Sequence, residues 1–127
     1  MNIIAKKNIK PVFEDDRGAI FDLVDKEKIS HIGMITSKRG SVRGNHYHKI
    51  ARQITYILSG KIELTTKDVS NKNSKPQIII MEKGDIADIP AMTAHSLKAL
   101  EDSAFLIFTD KQRSDGGYED DTYRIDM

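Results

Sequence analysis

The chain has 127 residues, with 20 Lys and Arg against 19 Asp and Glu, a formal net charge of +1 and no cysteine. This length predicts a single domain spanning residues 1–127. The balanced charge excludes a general nucleic-acid binder, because no block of like charge offers a footprint for phosphates. The lack of cysteine excludes disulfides and thiolate chemistry, which suits an intracellular protein.

Neither a signal peptide nor a membrane span is expected. The start "MNIIAKKNIK" is too short and too interrupted for a signal peptide. The longest apolar run, "AFLIF" at 104–108, is far shorter than the roughly 20 residues that cross a bilayer. We therefore expect a cytoplasmic protein without a membrane or nucleic-acid partner.

Residues of high β-propensity recur in short bursts separated by turn-forming residues. In chain order the bursts are "AIFDLVD", "HIGMITS", "RQITYILSGKIELTT", "QIIIM", "DIADIP", "HSLKAL" and "SAFLIFTD". No window of helical length keeps a convincing 3.6-residue apolar stripe. The pattern predicts an all-β domain of eight to ten short strands, a sandwich or a small barrel that could enclose one small ligand.

Two of the four histidines, His46 and His48, stand one residue apart. On a strand both rings project to the same face, while Tyr47 projects to the other. Two neutral imidazoles brought together in this way suit a divalent metal ion.

The spacing around this pair resembles the two sequence motifs of the cupin superfamily. The matching positions are Gly40, His46, His48, Gln53 and Gly60 for the first motif, and Gly84, Pro90 and His95 for the second. The resemblance implies a double-stranded β-helix, the jelly-roll barrel of cupins. It places core motifs at 40–60 and 84–99, an N-terminal strand segment at 1–38 and a C-terminal tail at 110–127.

The same resemblance implies a divalent ion, Zn, Ni, Fe, Mn or Cu, held by His46, His48, Gln53 and His95. Three positions depart from the motifs. Gln53 replaces the usual glutamate ligand, Met92 a glycine and Ala99 an asparagine. A neutral amide oxygen can still coordinate, but it removes one negative charge from around the ion. In the alternative interpretation Gln53 faces the pocket without touching metal.

Three further stretches resemble cupins that act on nucleotide-linked sugars. "VRGNHYHK" at 42–49 is similar to a stretch of the dTDP-sugar 3,4-ketoisomerases and of the dTDP-4-dehydrorhamnose 3,5-epimerases. "FEDDRGAIFDLVD" at 13–25 and "YEDDTYRI" at 118–125 resemble the two ends of such chains. In those enzymes histidines move protons next to a ketone without a required metal. Carried over by position, His46 and His48 are the catalytic base and acid.

The basic residues beside the histidines have two possible roles. Arg43 and Lys49 are predicted to bind the diphosphate or the developing enolate of the substrate, or else to form a solvated rim. Arg17 is expected to pair with Asp15 or Asp16.

His95 favours the metal interpretation, because the ketoisomerases and epimerases do not usually carry this histidine. Polysaccharide-biosynthesis enzymes with a zinc-holding cupin domain that epimerises a nucleotide sugar combine both features. The leading hypothesis is therefore a small metal-binding cupin, an isomerase or epimerase of a nucleotide-linked keto sugar. The alternatives are a metal-dependent dioxygenase and a non-catalytic ligand-binding cupin.

Three expectations concern the rest of the chain. A homodimer is expected for this architecture, through an outer strand face. Tyr118 and Tyr123 are expected to make hydrophobic tail contacts rather than to supply a phenol to the pocket. His31 has no partner at ligand spacing and is treated as incidental.

Overall fold

A computed structural model describes residues 4–127, and within that range the chain forms twelve strands. They are β1 (Lys6–Asn8), β2 (Phe13–Asp15), β3 (Gly18–Ile20), β4 (His31–Ser37), β5 (Val42–His48), β6 (Gln53–Ser59), β7 (Lys61–Asp68), β8 (Gln77–Glu82), β9 (Asp85–Ile89), β10 (Thr93–Ala99), β11 (Ser103–Thr109) and β12 (Thr122–Arg124). Residues 1–3, the start of the predicted N-terminal segment, lie outside the described residues.

The strands form two five-stranded antiparallel sheets and one separate hairpin. The first sheet has the order β1-β9-β6-β11-β4 and the second the order β12-β5-β10-β7-β8, while β2 pairs with β3. The all-β prediction is confirmed. Eight strands, β4 to β11, have at least five residues, and the other four have three residues each. Strands of three residues are too short to leave an alternating pattern in the sequence.

Residues 4–127 contain no helix long and apolar enough to cross a membrane.

The hydrophobic core lies between the two sheets. The first sheet contributes Ile57, Ala87, Ile89, Phe105 and Ile107, and the second contributes Ile62, Leu64, Met81, Leu97 and Ala99. Ile57, Ile62 and Leu64 are completely buried. Along β7 and β9 buried residues alternate with more exposed ones, as expected for strands of two packed sheets.

A β-bulge on β5 sets the direction of the residues that follow it. His46 pairs with His95 of β10, but Gly44 pairs with the next residue, Ser96, so Asn45 is extra. Gly44 has φ +97°, and an added Cβ would lie 2.6 Å from the backbone oxygen of His95. Asn45, with φ 54°, has the left-handed conformation that asparagine tolerates better than most residues. The "RGNH" stretch is therefore the local sequence that lets β5 and β10 approach each other where the histidines lie.

The hairpin β2–β3 is not paired with a strand of either five-stranded sheet. Phe13 and Ile20 are about half exposed, at 51% and 56%. Asp15 binds Arg17 at 2.6 Å, which is the ion pair expected from the sequence.

Candidate functional site

Three histidines from two neighbouring strands converge between the sheets. His46 and His48 lie on β5, and His95 lies opposite His46 on β10. The ring centroids are separated by 5.1 Å for His46 and His48, 4.7 Å for His46 and His95, and 5.5 Å for His48 and His95. One nitrogen from each ring lies within 4.8 Å of those of the other two. The structure thus brings together the three histidines that the motif spacing singled out.

Two of the three rings have a fixed tautomer. Nδ1 of His48 lies 3.0 Å from the backbone oxygen of Asp121, and Nδ1 of His95 lies 3.1 Å from that of Thr93. A carbonyl oxygen only accepts, so each Nδ1 must carry the proton and each Nε2 must present a lone pair. Both Nε2 atoms are buried and have no hydrogen-bond partner among residues 4–127. A buried lone pair without a donor is costly, and a cation near both atoms would satisfy it.

Burial favours the neutral form of two of these imidazoles, His46 and His95. Burial is the main cause that lowers the pKa of His46 to about 4, and the charges of His48 and Arg124 add to it. Burial, followed by the charge of His46, lowers the pKa of His95 to about 3. Neutral nitrogen donors are what a divalent metal requires. Three imidazole nitrogens around one point fit a metal ion of the kind that imidazole favours, which includes Zn, Cu, Fe and Ni.

Gln53 lies at the start of β6 and lines the same cavity. Its amide nitrogen donates to Oγ1 of Thr55 at 3.2 Å, and the side chain is buried. Because the nitrogen end is used, the oxygen is the end left for a cation or a substrate.

The histidines form one wall of a cavity of about 180 Å³. Its apolar wall is built by Leu97, Phe105 and Ile107, which belong to the hydrophobic core. One side of the cavity is therefore polar, formed by the histidines of β5 and β10, and another side is apolar. Small-molecule sites usually have this composition.

The two predicted substrate-binding residues lie in different places. Arg43 lines the cavity, donating from Nε to Oγ of Ser37 and from an amino group to the backbone oxygen of Thr36, each at 2.9 Å. Lys49 is not among the residues that line it. Its Nζ lies 4.4 Å from the ring centroid of Tyr123, and this ring stacks on Tyr47. Lys49 follows His48 and so shares the outer side of β5 with Tyr47, which is why it does not reach the histidines.

The C-terminal tail supplies a wall that the sequence analysis missed. β12 pairs with β5 beside the histidines, and Arg113, Tyr118 and Thr122 line the cavity. The ring centroid of Tyr118 is 6.2 Å from that of His48, and Arg113 lies over the same phenol ring at 5.8 Å. The expectation that Tyr118 only makes a tail contact was wrong, whereas Tyr123 does lie on the outer face. The only sequence signal was the resemblance of "YEDDTYRI" to ketoisomerase tails.

His31 lies beside this wall rather than at an unrelated place. Its ring centroid is 5.2 Å from that of Tyr118. Nδ1 of His31 is buried and has no hydrogen-bond partner within the part of the chain that the structure describes.

Solved structures with the same architecture include several nucleotide-sugar enzymes. A 3,4-ketoisomerase from Helicobacter canadensis has 20% sequence identity and a TM-score of 0.77, over 95% of this chain and 90% of the other. A sugar 3,4-ketoisomerase from Thermoanaerobacterium thermosaccharolyticum in complex with TDP has 19% identity and a TM-score of 0.76, over 95% and 87%. A dTDP-4-dehydrorhamnose 3,5-epimerase from Sulfolobus tokodaii has 24% identity and a TM-score of 0.73, over 88% and 72%.

At these identities the likeness shows the fold, and it confirms the predicted cupin jelly roll. No curated protein matches the chain. The model of one protein family, described as "Polysaccharide biosynthesis C-terminal domain", matches residues 13–123. The chain therefore belongs to the polysaccharide biosynthesis C-terminal domain family.

Proposed function

We propose that this protein is a metal-holding isomerase or epimerase that acts on a keto sugar linked to a nucleotide. The proposal is carried by three imidazoles that come together in one small cavity, where Nε2 of His48 and of His95 is buried without a hydrogen-bond partner among residues 4–127. The family to which the chain belongs supports a role in polysaccharide biosynthesis.

His46, His48 and His95 would hold the ion, with the amide oxygen of Gln53 as a fourth ligand. A bound divalent ion supplies polarisation of a carbonyl group, which makes the neighbouring C–H more acidic. All four donors are neutral, so the site keeps the full charge of the ion and attracts an anionic ligand or an enolate.

The shape of the site favours a substrate with a small reacting part and a larger anionic part. A cavity of about 180 Å³ is smaller than the range of roughly 300–1,000 Å³ typical of drug-sized ligands, and it suits a single sugar ring. A groove of about 630 Å³ lies next to it and shares Arg43 as a wall, with Lys38 and Ser41 also lining it. The diphosphate would lie near Arg43, whose planar guanidinium suits phosphate oxygens. The complex of the Thermoanaerobacterium ketoisomerase with TDP is consistent with a nucleotide ligand.

Proton transfer needs a group whose lone pair or proton is free. By resemblance His46 and His48 would be base and acid, but an imidazole nitrogen that binds an ion cannot also accept a proton. Tyr118 is the cavity residue that can take this role, since a phenol can donate and accept a proton. In the reaction a proton leaves the carbon next to the carbonyl. In an epimerisation a proton from a second donor, such as solvent water, is added to the opposite face of the same carbon. In a ketone shift a proton is added to the former carbonyl carbon, while the proton of the neighbouring hydroxyl group passes to the other oxygen.

The experiment is a solvent-exchange assay in D₂O with dTDP- and UDP-linked 4-keto sugars, followed by mass spectrometry. Deuterium should enter the sugar in the wild-type protein, and Tyr118→Phe should slow its entry by about 100-fold or more, within the range for a lost acid or base. Tyr123→Phe is the matched control, because this phenol lies on the outer face against Tyr47. If deuterium enters no sugar of the panel, the isomerase proposal is contradicted and the alternative of a non-catalytic binding protein is favoured. Oxygen uptake with candidate diols would instead favour a dioxygenase.

Metal content gives a second, independent test. Elemental analysis of protein purified without a histidine tag should find about one divalent ion per chain, and His48→Ala or His95→Ala should remove it. If His95→Ala keeps full turnover, the ion is not catalytic and the pair of His46 and His48 works alone.

We also propose that the protein forms a homodimer through the outer face of the first sheet. β4 is an edge strand, and it exposes Ile32 and Met34 at 60% and 66%. Exposed apolar residues on a free strand edge favour pairing with another chain, and a second copy offers the same surface. Light scattering should find a dimer in the wild type and a monomer for Met34→Lys, whereas Ile78→Lys on β8, the edge of the other sheet, should remain dimeric. A monomeric wild type would contradict the proposal.

A further inference from the structure

One carboxylate ties the C-terminal tail to the loop that follows β5. Asp121 is only 8% exposed and accepts hydrogen bonds from three successive backbone N–H groups. The donors are Lys49 at 3.0 Å, Ile50 at 2.8 Å and Ala51 at 2.8 Å. Burial alone would raise the pKa of Asp121, but these three hydrogen bonds outweigh it and hold the pKa below its usual range. The geometry fixes the tail to residues 49–51 through this one side chain.

The backbone of the same residue holds an imidazole of the site. The carbonyl oxygen of Asp121 accepts from Nδ1 of His48 at 3.0 Å. Thr122, the next residue, pairs with His48 across the two strands. The side chain of Asp121 thus fixes the tail at the point where its main chain meets His48.

His95 provides an internal comparison. Its Nδ1 donates to the backbone oxygen of Thr93, two residues earlier on the same strand. That hydrogen bond follows from the strand itself. The Nδ1 atom of His48 has two partners, the Asp121 carbonyl and, at 3.3 Å, Oγ1 of Thr122. The Thr122 hydroxyl donates its own hydrogen to the backbone oxygen of Tyr118. The two partners of His48 are 73 and 74 residues away in sequence and are present only if the tail is held in place.

We infer that Asp121 is a positioning residue, which clamps the tail so that its carbonyl keeps His48 in the Nδ1-protonated tautomer with Nε2 facing His46 and His95. The tautomer is a property of the protein alone. Its use by an ion or a substrate rests on the function proposed above. Groups that orient a ligating histidine in this way typically change metal affinity by about 10- to 100-fold when they are removed.

The test is a long-range ¹H–¹⁵N NMR measurement of imidazole nitrogens in metal-free protein near pH 8. His48 should be a single Nδ1–H tautomer in the wild type, a mixture of tautomers in Asp121→Ala and intermediate in Asp121→Asn, which keeps one oxygen acceptor. His95 should keep its tautomer in every variant. Asp120→Ala is the matched control, because the Asp120 carboxylate accepts from Gly116 within the tail and should leave His48 unchanged.

Zinc affinity, measured by competition with a chromophoric chelator, should fall by about 10- to 100-fold in Asp121→Ala and by less than threefold in Asp120→Ala. An unchanged His48 tautomer in folded Asp121→Ala, or in Asp121→Asn if the alanine variant does not fold, overturns the inference. If the wild-type protein binds no zinc, the proposed metal site is contradicted. The inference about Asp121 is still tested in that case, because the tautomer is measured in metal-free protein.

Discussion

Acidification of the metal-free protein from pH 7 to pH 5 should lower its free energy of unfolding. The folded-state pKa of His46 is about 4 and that of His95 about 3, both below the value near 6.5 of histidine in an unfolded chain. Between these values the unfolded chain binds more protons than the folded protein does. The stability contributed by the neutral imidazoles is therefore complete above pH 6.5 and is lost as the pH falls towards the folded pKa.

The magnitude follows from the buried ring of His95. One pH unit in this window changes the free energy of unfolding by about 1.4 kcal/mol for each group that takes up a proton only on unfolding. From pH 6.5 to pH 5 the contribution of His95 is therefore about 2 kcal/mol. His46 adds less, because its ring is partly exposed and solvent screens its charge. Asp85 and Asp121, whose pKa lies below the usual range, stay ionised in both states and do not contribute in this window.

The assay is urea unfolding at pH 7, 6 and 5 in the presence of a chelator, with the slope m as a check that two-state behaviour is kept. The wild type should lose at least about 2 kcal/mol between pH 7 and pH 5. His95→Gln has no titrating group at this position and should lose only the smaller amount due to His46. A wild-type stability that does not change with pH, or the same loss in His95→Gln, would refute the reasoning.

Four other substitutions test the local structure and the proposed metal site. Gly44→Ala should destabilise the protein by about 2 kcal/mol or more in urea unfolding, since its φ is +97° and the new Cβ would meet the His95 carbonyl at 2.6 Å. Gly40→Ala, with φ +88° and open space around it, should cost less, and an equal cost would contradict the steric argument. Met92→Gly should change the free energy of unfolding by less than about 1 kcal/mol. The relief of backbone strain at φ 61° offsets the greater conformational entropy that glycine loses on folding. A larger loss of stability would mean that the Met92 side chain contributes to packing. Gln53→Glu should tighten zinc binding by about tenfold, or roughly 1.4 kcal/mol, in the chelator competition, and unchanged affinity would argue against Gln53 as a ligand.

The fold could be predicted because the bursts of strand-forming residues and the spacing of the cupin motifs indicate the same architecture. The long strands β4 and β6 to β11 coincide with the bursts of β-prone residues in the sequence, and glycines with positive φ mark two of the turns between them, Gly60 and Gly84. Gly60 is also required by its surroundings, since an added Cβ would lie 2.2 Å from Oγ of Ser103. The motif spacing correctly indicated the histidine cluster, because His46 and His95 are direct neighbours on adjacent strands.

The backbone conformation at two positions in the motif regions could not be read from the sequence. Asn45 and Met92 both have positive φ. The first belongs to the bulge on β5, whereas Met92 stands at the position where the second cupin motif has a glycine. The structure adds that the replacement keeps the left-handed conformation, at a cost of about 1 kcal/mol or more.

The tail could not be placed from the sequence, because its contacts are non-local. Asp121 reaches residues 49–51 across about 70 positions of chain, and Arg113 and Tyr118 lie in a segment without regular structure. No periodicity predicts such contacts. The position of Lys49 is different, since the alternation that directs His46 and His48 inward also directs residue 49 outward.

The chemistry of the cavity depends on how each imidazole uses a single lone pair. His48 and His95 each have one free nitrogen, because the other nitrogen donates to a main-chain carbonyl. A nitrogen bound to an ion cannot serve as a base at the same time, so the metal roles and the acid–base roles of the same histidines exclude each other within one catalytic cycle. If the ion is held, Tyr118 is the proposed proton-transfer group, and Tyr118→Phe should slow deuterium entry by about 100-fold or more while metal content is unchanged. If His46 and His48 act alone, His95→Ala should keep turnover, and the pH profile of kcat/KM should move with substitutions at the pair rather than with metal loading.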